Sequence, residues 1–135
     1  MNSAHDASTA RLVVVIDDDP LALDAIAGLL RCWGYRAVSA ASDGAALAQL
    51  AQLRQSPDLI ISDYHLAEGA TGIEAIERIR KAYRVPAILM TGDAAPERLR
   101  EAHAHGHQVL HKPVNPGPLR TMLTRVLEGT TRRGS

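Results

Sequence analysis

The stretch Pro57-Asp58-Leu59-Ile60-Ile61-Ser62-Asp63-Tyr64-His65-Leu66 decides how the rest of the chain folds. Leu59 to Ser62 has the apolar character of a short buried strand, and it brings the carboxylate of Asp63 to the strand's carboxyl end. Small residues and glycines follow at positions 69–72, so a loop comes directly after this acid. In α/β proteins, binding and chemistry are usually found at this position, beyond the carboxyl end of a strand.

Outward from this stretch, strands and helices alternate along the chain. A continuous apolar run predicts a strand at 12–16, and a short apolar run predicts one at 86–90. The remaining two strands are expected at about 35–40 and 108–111. Five amphipathic segments lie between and after them; Asp19-Pro20 is a typical helix start, and Thr71-Gly72-Ile73-Glu74 has the form of a capping box. This alternation predicts a (βα)5 flavodoxin-like three-layer α/β sandwich, with a parallel five-stranded sheet of order 2-1-3-4-5. We expect one domain over residues 11–128, with disordered tails at 1–10 and 129–135.

Composition and charge exclude several classes of function. The 135 residues carry 15 basic and 15 acidic side chains, and this lack of a basic excess argues against direct binding of nucleic acid. No apolar run approaches the roughly 20 residues of a membrane-spanning helix, so no direct membrane contact is expected. The single cysteine, Cys32, lies in an apolar helical stretch and is interpreted as a core residue. Together with the lack of a signal sequence, it predicts a cytoplasmic protein.

Polar residues follow four of the predicted strands. Asp17 and Asp18 follow the first strand, Asp63 the third, Thr91 the fourth and Lys112 the fifth. Because the order of the sheet reverses between strands 1 and 3, these side chains are expected to collect at one edge of the sheet. Two adjacent acids alone would fit a solvated strand end, but the full set favours a functional site.

The acids of this set predict a magnesium site. Like charges about 4 Å apart repel by about 4 kcal/mol at an effective dielectric near 20, so the carboxylates favour a bound cation. Oxygen ligands select a hard ion such as Mg²⁺. Asp18 and Asp63 are expected to be direct ligands and Asp17 to act mainly through water, with a backbone carbonyl near Tyr64 or at His65 completing the shell. The His65 side chain could shield a phosphate from water or be solvated.

The same set predicts transfer of a phosphoryl group to Asp63. A cation would offset the repulsion between this carboxylate and an incoming phosphoryl group. Lys112 offers a second positive charge, and the Thr91 hydroxyl offers a hydrogen-bond donor to phosphate oxygens. The product would be an aspartyl phosphate.

Four segments resemble the receiver domain of two-component response regulators. They are Val14-Val15-Ile16-Asp17-Asp18-Asp19-Pro20, Ile60-Ile61-Ser62-Asp63-Tyr64, Met90-Thr91-Gly92 and Leu110-His111-Lys112-Pro113, and the resemblance runs from about residue 11 to 127. It implies that the acidic pair binds Mg²⁺, and that Asp63 is phosphorylated by a histidine kinase or a histidine phosphotransfer domain. It further implies that Thr91 and Lys112 bind the phosphate and that the Lys112–Pro113 bond is cis. A receiver is a phosphorelay signalling module, not an enzyme acting on external substrates; it catalyses only its own phosphorylation and slow dephosphorylation.

Some details resemble a subset of receivers, those at the C-terminal end of hybrid sensor histidine kinases. They lie in the segments 63–76, 89–93 and 109–114. This sequence is therefore expected to be part of, or partner to, a hybrid kinase, although a stand-alone regulator could carry the same residues.

The fifth strand departs from the pattern of many receivers, which carry an aromatic switch residue there. Val109 and Leu110 occupy these positions, so no ring can swing inward on activation. A signal to the output face, formed by the fourth helix, fifth strand and fifth helix, is expected to use Thr91 and the loop Gly92-Asp93-Ala94-Ala95. The fourth helix has a weak apolar face that suits a movable element. A weak homodimer would use the same output face.

Two alternatives and one histidine cluster stay open. Asp17-Asp18-Asp19 contains the Asp-x-Asp pair of aspartate-nucleophile phosphatases, with Asp17 as nucleophile, although the adjacent proline and the short chain argue against it. A pure interaction domain that never carries phosphate is the other alternative. His103, His105 and His107 alternate, but residues two apart on a helix do not face each other, and Gly106 is expected to end the helix. A metal role for them is therefore disfavoured.

Overall fold

The computed structural model describes residues 10–92 and 96–134, with side chains described as far as residue 128. Five strands lie within this part of the chain: β1 (Leu12–Ile16), β2 (Arg36–Ala40), β3 (Leu59–Asp63), β4 (Ala87–Thr91) and β5 (Gln108–His111). The five α-helices are α1 (Pro20–Cys32), α2 (Asp43–Leu53), α3 (Gly72–Arg80), α4 (Pro96–Ala104) and α5 (Pro116–Gly134).

The strands form one parallel sheet of order β2-β1-β3-β4-β5, which confirms the predicted topology. Residues of β1, β3 and β4 are buried throughout, as their unbroken apolar runs predict for strands covered on both faces. One hydrophobic cluster includes residues of α2, α3 and α4, and a second includes residues of α1 and α5. The helices therefore cover the sheet from both sides in three layers.

Local capping signals place the helix starts. The Asp19 carboxylate accepts a hydrogen bond from the Leu21 amide at 3.1 Å, and Pro20 opens α1. At α3 the Thr71 hydroxyl and the Glu74 carboxylate complete the capping box by accepting from each other's backbone amides, at 3.2 and 3.1 Å. Because α1 and α3 are the next helices after β1 and β3, these caps fix the far ends of the loops that follow Asp17 and Asp63.

Some predictions differ from the structure. Cys32 is exposed because the buried face of α1 is Ile26, Ala27 and Leu30, and a position two residues past Leu30 lies on the other side of the helix. A disordered tail is expected from residue 129, but α5 runs to Gly134, since no proline interrupts it after 118 and an isolated glycine is tolerated in a helix. The predicted N-terminal tail lies outside the described residues except for position 10. Within the described chain, no helix has the length and apolarity needed to cross a bilayer.

Candidate functional site

The order of the sheet brings the predicted site residues to one edge. Ile16 of β1 pairs with Ser62 of β3. The residue that follows each of them, Asp17 beyond β1 and Asp63 at the end of β3, therefore lies beside the other. Thr91 ends the adjacent β4 and is buried, with 3% of its surface exposed. Lys112 comes directly after β5, where its amide donates to the Thr91 carbonyl at 2.9 Å. The carboxyl ends of four neighbouring strands thus supply this site.

Three carboxylates form the acidic part of the site. One oxygen from each of Asp17, Asp18 and Asp63 lies within 4.8 Å of the others. Asp17 is fully buried and Asp63 is 8% exposed, whereas Asp18 is exposed. Oxygen Oδ1 of Asp17 accepts from the Asp19 amide at 3.0 Å, but its buried Oδ2 has no hydrogen-bond partner among the described residues. This orphaned oxygen and the all-oxygen donor set fit a hard divalent cation such as Mg²⁺.

Lys112 is the cation that the structure places against these acids. Its Nζ lies 3.1 Å from Asp63 Oδ2 and 3.6 Å from Asp17 Oδ2. Partial burial opposes the charge, but the hydrogen bond to Asp63 and the charges of both acids outweigh it and raise the pKa of Lys112. The ammonium therefore stays charged and holds the Asp63 carboxylate in place. The Lys112–Pro113 bond is cis, as predicted.

Burial dominates the electrostatics of Asp17. Desolvation raises the pKa of this carboxyl, and the negative charges of Asp63 and Asp18 raise it further. The Asp19 amide and the Lys112 charge act in the opposite direction without cancelling the effect. A charged Asp17 thus costs folding stability while no cation is bound.

Replacing Asp17 with asparagine is expected to stabilise the metal-free protein at neutral pH by about 1–3 kcal/mol, because the buried negative charge and its repulsion by Asp63 and Asp18 are removed. Since the folded-state pKa of Asp17 lies above 3.8, its contribution to the stability of the wild-type protein is fully present only below that pH. This contribution is lost as the pH rises through the folded-state pKa, and the Asp17→Asn variant avoids the loss.

Urea denaturation in chelator at several pH values checks this prediction, with the exposed Asp24→Asn on α1 as control. The stability gap between Asp17→Asn and wild type is expected to widen from acid to neutral pH. A gap that stays constant over this range would contradict it.

Gly72, the first residue of α3, is a site residue that the sequence pattern did not single out. A Cβ at this position would overlap the backbone carbonyl oxygen of Asp63 and come within 2.8 Å of Leu89 Cδ2. The Gly72 amide also donates to the Tyr64 carbonyl at 2.6 Å. Only glycine lets α3 start this close to the end of β3. Its one sequence signal is a glycine after the Thr71 cap, which also fits an ordinary capping box.

Tyr64 is a second residue whose contacts were not predicted. The residue is 7% exposed, and its hydroxyl donates to Glu101 Oε1 on α4 at 2.8 Å. The Arg98 guanidinium lies over the ring, 5.6 Å from its centroid. The residue after Asp63 is thereby joined directly to α4. His65 is exposed, with its ring 5.0 Å from that of Tyr64 in an edge-on arrangement.

The predicted output face is only partly at the surface. Val109 is half-buried and packs against the cluster that includes α3 and α4 residues. Leu110 is 6% exposed and lies in the opposite cluster, with α1 and α5 residues. Of the two, Val109 is the side chain that α4 can influence. Positions 93–95 of the predicted switch loop lie outside the described residues.

The alternating histidines are placed differently from the sequence expectation. The rings of His105 and His107 stack, with centroids 5.9 Å apart and planes 16° from parallel. They meet because Gly106 between them adopts φ +80°, which turns the chain out of α4 and back on itself. The prediction that residues two apart stay separate is therefore wrong for this pair. His103, on α4, is not part of their cluster with Glu77.

Comparison with known proteins agrees with the fold and the arrangement of the site. Residues 13–124 match the family described as the response regulator receiver domain. The chain belongs to this family. A receiver domain protein from Methanospirillum hungatei, described as CheY-like, superposes with a TM-score of 0.81 at 26% identity, over 93% of this chain and 99% of that one. Chemotaxis protein CheY4 of Vibrio cholerae superposes with a TM-score of 0.79 at 31% identity, over 88% of this receiver and all of its own chain.

Curated relatives include regulators longer than this chain. The phyllosphere-induced regulator PhyR of Methylorubrum extorquens is 27% identical over 90% of this receiver, which spans only 45% of that protein. The two-component response regulator ORR11 of rice is 29% identical over 85% of this chain and 80% of its own length. These matches confirm the resemblance and make the chain a receiver module of two-component signal transduction.

Proposed function

We propose that this receiver carries its signal as a phosphoryl group on Asp63. The main support is the 3.1 Å contact between Lys112 Nζ and Asp63 Oδ2, together with the partial exposure of Asp63 at the end of its strand. In the proposed reaction an Asp63 carboxylate oxygen attacks the phosphorus of a phosphohistidine, the P–N bond breaks, and the imidazole leaves with the electron pair. The donor is a histidine kinase or a histidine phosphotransfer domain.

Residues around Asp63 support this transfer. Lys112 attracts the incoming phosphoryl oxygens and then remains as their ion-pair partner. Thr91, which ends the adjacent strand, would donate its hydroxyl to the phosphoryl group. Asp17, Asp18 and Asp63, with the His65 backbone carbonyl, would hold Mg²⁺, which when bound would neutralise charge that develops on the phosphoryl oxygens.

Asp17 is the less suitable nucleophile. It is fully buried, one oxygen is engaged by the Asp19 amide, and the other faces Lys112. A phosphatase reaction at Asp17 would require a phosphate to reach a carboxylate with no exposed surface. The receiver reaction thus fits the geometry better than hydrolysis of an external substrate.

Mapping the phosphorylated residue tests this proposal. The full chain would be incubated with acetyl phosphate and Mg²⁺, reduced with borohydride to trap aspartyl phosphate, and digested for mass spectrometry. Trapped product is expected at Asp63. Product at Asp17 would favour the phosphatase hypothesis, and no product together with no binding of beryllofluoride would favour a pure interaction domain.

A partnership with a hybrid sensor kinase is part of the proposal and is supported by the sequence resemblance alone. Transfer assays with the receiver-facing domains of hybrid kinases and of separate phosphotransfer proteins would compare the two kinds of donor. Faster transfer from donors unrelated to hybrid kinases would count against this partnership.

We further propose that phosphorylation is reported through α4. The Tyr64–Glu101 hydrogen bond joins the residue after Asp63 to this helix, and Thr91 precedes the loop that leads into it. Ala102 is the one fully buried residue of α4, so little packing opposes its movement. With Val109 and Leu110 on β5, this route needs no aromatic switch, and a weak homodimer through α4, β5 and α5 would respond to it.

Removing the Tyr64 hydroxyl is expected to uncouple α4 from Asp63. In wild type, beryllofluoride with Mg²⁺ should change amide hydrogen exchange in α4; in Tyr64→Phe, α4 should already exchange several-fold faster, because a hydrogen bond worth about 1 kcal/mol is lost. Its response to beryllofluoride should shrink accordingly. Tyr83→Phe, at a half-buried ring after α3, is the matched control. Equal responses in Tyr64→Phe and wild type would contradict this route.

A further inference from the structure

A second polar cluster lies at the opposite edge of the sheet from Asp63. It joins Glu77, in the last turns of α3, to His105 and His107, which flank Gly106 between α4 and β5. One ligand atom from each of the three side chains lies within 4.8 Å of the others. Glu77 Oε2 is 3.3 Å from His105 Nδ1 and 3.9 Å from His107 Nε2. The carboxylate thus stands between two imidazoles.

An ion pair with Glu77 does not explain why the His107 side chain is buried. Its side chain is fully buried, yet neither ring nitrogen has a hydrogen-bond partner among the described residues. Buried polar groups are almost always paired, and an orphan calls for a specific cause, such as an ion bound to it.

The donor types define the class of metal. Two imidazole nitrogens and one carboxylate oxygen form a typical set for Zn²⁺ and related divalent transition metals, with a fourth position left for water. Mg²⁺ prefers oxygen ligands, so this cluster and the acidic site select different ions. We propose that Glu77, His105 and His107 form a binding site for a Zn²⁺-class divalent metal.

The side chains are close enough to share one ion, but the nearly parallel His105 and His107 rings must turn relative to each other so that a nitrogen of each points at it. Ligand atoms about 2.0–2.2 Å from a tetrahedral metal lie roughly 3.3–3.5 Å from one another. The Glu77–His105 separation of 3.3 Å already matches, and the Glu77–His107 separation of 3.9 Å is close. The side chains of Glu77 and His105 are 47% and 40% exposed, so both can rotate toward the buried His107. The bound metal would tie the end of α4 to α3.

Metal titration of the full chain tests this site. Zn²⁺ binding would be measured by calorimetry and Co²⁺ binding by its visible absorption, with Mg²⁺ in excess to occupy the acidic site. Wild type is expected to bind one equivalent, with Co²⁺ giving the intense bands of tetrahedral coordination. Glu77→Gln and His105→Ala, both at exposed positions, should weaken binding about tenfold or more.

Two controls separate this site from adventitious binding. His103→Ala removes an exposed histidine of α4 outside the cluster, and Asp18→Asn removes an acidic-site carboxylate; both should bind Zn²⁺ as wild type does. Wild-type affinity in Glu77→Gln and His105→Ala would overturn the proposal, as would loss of Zn²⁺ binding in Asp18→Asn. Because neither ligand variant touches Asp63, phosphorylation should be retained in both.

Discussion

Asparagine in place of Asp63 is expected to abolish incorporation of phosphate from acetyl phosphate. The amide lacks the nucleophilic carboxylate, and it cannot form the charged contact with Lys112 at 3.1 Å. Incorporation is measured as the mass increase of the intact protein over time with Mg²⁺ present. Asp24→Asn, at an exposed position of α1, is the control that should behave as wild type.

Lys112→Met is expected to slow the incorporation of phosphate without abolishing it. Removing one preorganised charge from a developing phosphoryl transition state costs about 100-fold in rate, so incorporation is expected to slow without changing its site. Asp17→Asn should retain measurable incorporation because the nucleophile is intact. If Asp63→Asn still incorporates phosphate while Asp17→Asn does not, Asp63 is not the acceptor.

The parts of the molecule that were predictable share a physical cause. Strands buried on both faces of a parallel sheet carry unbroken apolar runs, so a segment such as Leu12–Ile16 can be recognised as a strand from the sequence. The alternation of strands with helices then leaves few possible topologies. The reversal of strand order then places Asp17 beside Asp63 without any knowledge of tertiary contacts. Fold and acidic site follow from local patterns plus chain connectivity.

The features that could not be predicted from the sequence depend on contacts between distant elements or on the exact direction of a side chain. The hydroxyl of Tyr64 reaches Glu101, 37 positions along the chain, through packing that no local pattern encodes. His105 and His107 face each other because Gly106 adopts φ +80°, whereas helical spacing would separate them. Cys32 was placed in the core from the apolar character of its neighbours, but the phase of the helix turns it outward.

The close approach of α3 to β3 leads to the largest expected loss of stability. Gly72→Ala gains up to about 1 kcal/mol from the better helix propensity of alanine. Against this, the new Cβ would overlap the Asp63 carbonyl oxygen and press on Leu89, and neither has room to retreat because both lie in buried strands. Overpacking of this kind costs about 3 kcal/mol. The clash therefore wins, and the free energy of unfolding should fall by about 2 kcal/mol.

Gly28→Ala is expected to stabilise the same protein and serves as the comparison. Gly28 is an exposed residue within α1, and a Cβ there meets no atom within 4 Å, so alanine should stabilise by about 0.5–1 kcal/mol. Urea denaturation of both variants gives the comparison. Since the Gly72 clash acts on the backbone of Asp63 itself, Gly72→Ala should also incorporate phosphate more slowly than Gly28→Ala. A Gly72→Ala protein as stable as Gly28→Ala would show that α3 shifts freely away from the phosphoacceptor, and the close packing would then not constrain the site.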